Sequence, residues 1–182
     1  MTRSNARELA VHFVFELGFS GQSADELLAE SLTRTVFERI GQEEPLYSQF
    51  PNVEQRAYIT ALVRGVFDHT YELDDAISRY AIGWKLSRLP RIVVAILKVC
   101  MYEILYMQDV PNAAAINEAV ELTKKYEEEE LAGFVNGILG SFVRAEGSGE
   151  TLPQAEVVLA PDAFDEADVT EAAEAVAGDA GE

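Results

Sequence analysis

Two apolar stripes at helical spacing, joined by an acidic run, dictate most of what this chain can fold into. In residues 115–142, AINEAVELTKKYEEEELAGFVNGILGSF, the side chains of Ile116, Ala119, Val120 and Thr123 recur at three- and four-residue steps. That spacing keeps them on one face of an α-helix. Leu131, Phe134, Val135, Ile138, Leu139 and Phe142 repeat the pattern beyond Glu127, Glu128, Glu129 and Glu130. Each helix has one stripe to bury, and the short break between them directs both stripes onto the same core.

The rest of the chain keeps that period. Residues 7–19 predict a first helix with Leu9, Ala10, Phe13, Val14 and Leu17 inward, Ser4 or Asn5 as its cap, and Gly18 and Gly21 at its end. Ser23 followed three residues later by Glu26 has capping-box spacing and opens a single second helix over residues 23–40. Gly41 and two prolines mark residues 42–52 as a loop. A third helix is expected over residues 53–70, with Ala57, Leu62, Val63, Val66 and Phe67 inward, and a shorter fourth over residues 73–82. Pro90 suits the first turn of a fifth helix ending near Tyr106. Its Ile92, Val93, Ala95, Ile96, Val99 and Cys100 leave it apolar around much of its circumference, which predicts the central helix of an all-α fold. Gly137, inside the last helix, costs about 0.8–1 kcal/mol against Ala, so a neighbouring helix is expected to approach closely there. No β pattern and no internal repeat is present.

Charge divides the chain in two. Its formal charge is −18, but residues 146–182 hold 11 of the 32 acidic side chains and no Lys or Arg. Residues 1–145 therefore carry 14 basic against 21 acidic groups, a charge of −7. The whole chain is 48% apolar, enough for a sizeable core, so residues 1–145 are expected to form one helical domain, whereas residues 146–182, poor in aromatic side chains, read as a disordered acidic tail.

Enzyme chemistry is not encoded in any recognisable form. There is no glycine-rich phosphate loop, no GxSxG, no HExxH and no paired cysteine spacing, so no catalytic residue, metal or cofactor is expected. His12 and His69 fall on separate helices, and the single Cys100 sits among Val99, Met101 and Ile104 as a buried thiol. The longest clean apolar run, residues 92–97, is far short of a membrane span, and Glu8 and Glu16 interrupt any signal-peptide core. The expectation is a soluble cytoplasmic protein.

Several motifs in order carry a family resemblance: NAREL near the start, RLP and MYEI around the fifth helix, AINEAVELTKKY, then FVNGIL. Over about residues 5–143 the chain resembles the NusB family of transcription antitermination factors. The resemblance implies about seven helices in two small bundles. It further implies binding of boxA-type single-stranded RNA of nascent ribosomal RNA transcripts, jointly with the ribosomal protein NusE, and through them an indirect link to the elongating RNA polymerase. The sequence leaves open whether the free chain forms a homodimer, and no membrane contact is expected.

By the same resemblance, the RNA-facing residues are Arg3 and Arg7 of an N-terminal basic arm, His12 one step further, and the aromatic Tyr80 and Phe134. Phe15 and Glu130 belong to the NusE side. The chemistry fits, since single-stranded RNA is held by cations on phosphates and aromatic faces under bases. Arg7 also lies near a helix start, where a cation opposes the dipole and asks for a reason. Relatives often cluster more arginines in the arm and carry a basic or hydroxylated residue where Gly133 stands. Weak RNA binding by the chain alone, and useful affinity only with its basic partner, is therefore expected. The tail, as a phosphate mimic, is a candidate to cover the basic arm.

A different class of function is a helical protein-interaction domain that has lost RNA binding and uses its acidic surface instead. A NusB-like domain also precedes ribosomal RNA cytosine methyltransferases, but the sequence shows no catalytic domain with a nucleophilic cysteine after residue 145.

Overall fold

Thr2 opens the first helix by accepting the amide of Asn5, and Gly21, with φ of 67°, closes it in the left-handed conformation. This helix, α1 (Arg3–Ser20), starts four residues before the expected residue 7, because Thr2 rather than Ser4 or Asn5 is the cap. The computed structural model of the chain describes residues 1–146. The tail assigned to residues 146–182 lies outside them, save Glu146, which ends the last helix.

Ser23 and Glu26 form the expected capping box at the start of α2 (Ala24–Ser31). The single helix expected over residues 23–40 is in fact two. Thr33, in extended conformation, accepts the amide of Val36 and caps α3 (Arg34–Ile40), so the chain turns at Leu32 and Thr33. A second capping box, Asn52 with Gln55, starts α4 (Val53–Asp68). Next come α5 (Thr70–Tyr80), α6 (Arg91–Tyr106) directly after Pro90, α7 (Asn112–Tyr126) after Pro111, and α8 (Glu129–Glu146). Short 3-10 turns cover Pro45–Tyr47 and Leu86–Arg88. The described residues thus hold eight α-helices, one more than expected, and no strand.

Helix α6 is the shared element. It packs on α1, α4, α5, α7 and α8, while α7 and α8 pack on each other. Leu97, Met101, Val93 and Ile96 are at most 1% exposed, and Phe13 of α1 and Phe142 of α8 are equally buried. Each such side chain contributes about 1.5–3 kcal/mol of burial. Cys100 is buried as expected, and burial, with Glu103 nearby, pushes its thiol pKa well up.

Two inward assignments on α4 are reversed. Ala57 is exposed and Phe67 is 43% exposed, while Ile59 and Gly65 face the core. The close helix approach is also elsewhere than expected. A Cβ on Gly137 would meet nothing within 4 Å, whereas one on Gly65 would lie 1.9 Å from the ring of Tyr102. Gly65 is the residue that lets α4 and α6 meet.

Candidate nucleic-acid interface

The N-terminal basic residues are part of a helix rather than a flexible arm. Arg3, in the first turn of α1, is half-exposed, pairs with Asp109 at 2.9 Å and stacks its guanidinium 4.8 Å from the Tyr58 ring centroid. The hydrogen bond to Asp109 raises its pKa, so it is a permanent cation. Arg7 is 4% exposed. Its Nε and Nη2 donate to Glu103 at 2.8 and 3.0 Å, and its Nη1 donates to Glu118 at 3.0 Å. Burial opposes its charge, but Glu103 outweighs that and the pKa is raised. Arg7 therefore spends its donors inside the protein, which is the reason a cation stands near this helix start.

Glu103 is the residue that sequence reading missed. It is fully buried and also accepts from Tyr58. A lone carboxylate in the largely apolar α6 was the available signal, because a buried charge must be paired.

One helical turn on, His12 lies in a chain of hydroxyls. Its Nε2 is 2.7 Å from the Tyr126 hydroxyl and its Nδ1 3.5 Å from that of Tyr47. Tyr126 donates to Glu8, so its oxygen accepts from His12, and the network assigns the proton to Nε2. Burial lowers the His12 pKa, against the pull of Glu8, and the ring is neutral at pH 7. Burial raises that of Tyr47 to about 12, so it keeps its proton to donate. Lys125 Nζ meets Glu8 at 2.5 Å. His12, Tyr47 and Tyr126 border an open groove of about 710 Å³ with Phe15, Glu16, Phe19 and Ile92. Phe15 and Phe19, 36% and 58% exposed, pack 5.0 Å apart on one face of α1.

The other predicted residues form a second group, on α5 and α8. Phe134 is half-buried, with its ring 5.3 Å from Trp84. Tyr80 meets Phe142 edge-on at 5.7 Å and donates to Glu146 at 3.0 Å. Glu130 is exposed in the first turn of α8, where the helix dipole favours a carboxylate. Arg3, Arg7, His12 and Phe15 thus share α1, Tyr80 lies on α5 and Phe134 on α8, and α6 packs on all three helices. Chemically, the first group offers one exposed cation and apolar rings, and the second offers ring faces beside an acidic turn.

The NusB family model matches residues 4–144. The chain is 39% identical over 145 residues to the transcription antitermination protein NusB of Symbiobacterium thermophilum, covering 79% of this chain and 90% of that one. Against the protein of the same name from Acetivibrio thermocellus it is 36% identical over 144 residues, covering 79% and 90%. Among solved structures, T. maritima NusB superposes with a TM-score of 0.66 at 27% identity, over 79% of this chain and 92% of that chain. A chain in a crystal structure of the antitermination factors NusB and NusE with double-stranded RNA shares the fold, with a TM-score of 0.62 at 23% identity over 79% and 96%.

Proposed function

This chain belongs to the NusB family, and from that premise we propose that it is a non-enzymatic transcription antitermination factor that binds boxA-type RNA jointly with NusE. It works in the cytoplasm as an adaptor, presenting RNA and NusE together to the elongating polymerase. The observation that carries the reading is the family match over residues 4–144, which takes in every predicted site residue but Arg3. No helix among the described residues is long and apolar enough to cross a membrane.

Within this reading Arg3 meets phosphate, while Tyr80 and Phe134 offer ring faces to bases, each stack being worth about 1–3 kcal/mol. Arg7 acts through position, fixing the first turns of α1 against α6, and His12 is a neutral hydrogen-bonding wall of the groove. Phe15, with Phe19 beside it, and Glu130 face NusE. A single exposed cation at α1, itself shared with Asp109, supports weak binding by the chain alone.

The test is titration of a labelled boxA-type RNA at low salt with the purified chain, with and without NusE. Weak binding alone and at least about tenfold tighter binding with NusE is expected, a difference of about 1.4 kcal/mol. No binding in either case overturns the RNA assignment. It would favour the second reading, a protein-interaction domain without RNA recognition, which the pairing of both Arg3 and Arg7 with carboxylates also supports.

A further inference from the structure

At the corner between α3 and α4, two arginines converge on one aromatic ring. The guanidinium carbon of Arg34 is 4.8 Å from the Phe50 ring centroid, and that of Arg56 is 5.3 Å from it. The two charges are thus no more than about 10 Å apart, within roughly one Debye length at 0.1 M salt, so an anion between them feels both. Among the described residues neither makes an ion pair or donates a side-chain hydrogen bond, which is true also of Arg39 and Arg88, but of these only Arg34 and Arg56 share one aromatic ring. Two cations without carboxylate partners beside one ring form a local positive patch on a body of charge −7. Such a patch is open to an anion.

The aromatic ring says which kind of anion. Phe50 is held edge-on by the buried Phe37, at 5.1 Å and 87°. It fixes both guanidinium groups while Arg34 remains exposed and Arg56 half-exposed. Guanidinium groups so placed offer planes for bases to stack on and N–H edges for phosphates. The corner also joins the start of α1. Gln55, next to Arg56, donates to the carbonyl of Met1, and Arg3 lies over Tyr58 of the same helix.

We propose that Arg34, Phe50 and Arg56 form a second RNA contact, which takes nucleotides flanking the segment held beside Arg3. The proposal rests on the RNA-binding reading above and extends the path of the strand across the first turns of α4.

The test uses the full chain with NusE and two labelled RNAs: a short boxA-type RNA, and the same RNA extended by about eight nucleotides at one end or the other, within the span of one single-strand site. Extension at one end is expected to tighten wild-type binding about tenfold, and the R34E/R56E variant is expected to lose that gain while binding the short RNA like wild type. The salt slope for the extended RNA falls by about 1.4 for two lost single-strand phosphate contacts. R144E, a reversal on the last turn of α8, keeps the gain. Circular dichroism checks folding, and R34A/R56A replaces the reversal if it does not fold. Short RNA bound with no gain from either extension overturns this proposal alone, as does a gain retained by R34E/R56E. Loss of NusE binding by R34E/R56E with the RNA gain intact also overturns it and assigns the corner to a protein. No binding of the short RNA by wild type removes both this proposal and the reading beneath it.

Discussion

Arg7 of α1 and Glu103 of α6 are joined by two parallel hydrogen bonds, of 2.8 and 3.0 Å, with both side chains at most 5% exposed. Such a pair adds little to stability compared with an apolar filling of the same volume, but removing one partner strands a buried charge. R7A is therefore expected to destabilise the fold by about 3–5 kcal/mol, read by urea denaturation, and R7M/E103L to recover most of that loss. Equal losses in the single and double variants would refute the stranded-charge account.

At Gly65 two effects of opposite sign compete. Alanine favours a helix by about 0.8–1 kcal/mol over glycine. The added Cβ, however, meets the Tyr102 ring at 1.9 Å, and such overpacking costs about 1–3 kcal/mol. G65A is expected to destabilise wild type. In a Y102A background the clash is gone, and the same substitution is expected to stabilise, so thermal denaturation should show the sign reverse.

These two sites also show what a sequence makes legible. Stripes, capping boxes and the central helix are local patterns, and Ser23 with Glu26 or the apolar run of α6 is readable within a few residues. The break at Thr33 is not, because a threonine that caps a new helix and one that continues an old helix look alike in an unbroken apolar period. Arg7 and Glu103 are 96 residues apart, so the motif that contains Arg7 says nothing about its burial. The family resemblance named residues of the right chemical types, yet it did not distinguish a cation facing solvent from one sealed against α6.

His12 makes stability depend on pH. Its pKa is lowered on folding from an ordinary value of 6.5, mainly by burial, so between the two values the unfolded chain binds more protons. Stability then rises with pH in that window. The contribution is complete above about pH 6.5 and is lost as pH falls toward and through the folded value. H12Q should remove this part of the slope in denaturation curves taken between pH 5 and 7.5. An unchanged slope would mean that other groups carry it.

Phe134 and Tyr80 should separate from Phe15 in binding. F134A and Y80A are expected to weaken RNA binding by the NusE complex by about 1–3 kcal/mol each. F15A, which removes an exposed ring, should weaken NusE binding and leave the RNA affinity of the isolated chain unchanged. RNA anisotropy and NusE calorimetry on the three variants test this. RNA affinity unaltered in F134A and Y80A would reassign those rings to packing, on Trp84 and Phe142 respectively.

Removal of the tail tests whether its charge competes with RNA. Residues 147–182 carry 10 acidic side chains and no basic one, more than half of the formal charge of −18. A covalently tethered polyanion acts at a high effective concentration on any cation it reaches, and the candidates are Arg3, Arg34 and Arg56. Truncation after Glu146 should therefore raise RNA affinity at low salt, with the gain fading as added salt screens the tail. The same truncation in an R34E/R56E background should give a smaller gain if the α3–α4 corner is where the tail competes. Affinity that is unaltered by truncation at every salt concentration rules out competition, and the acidic tail then has no part in controlling access to the RNA surface.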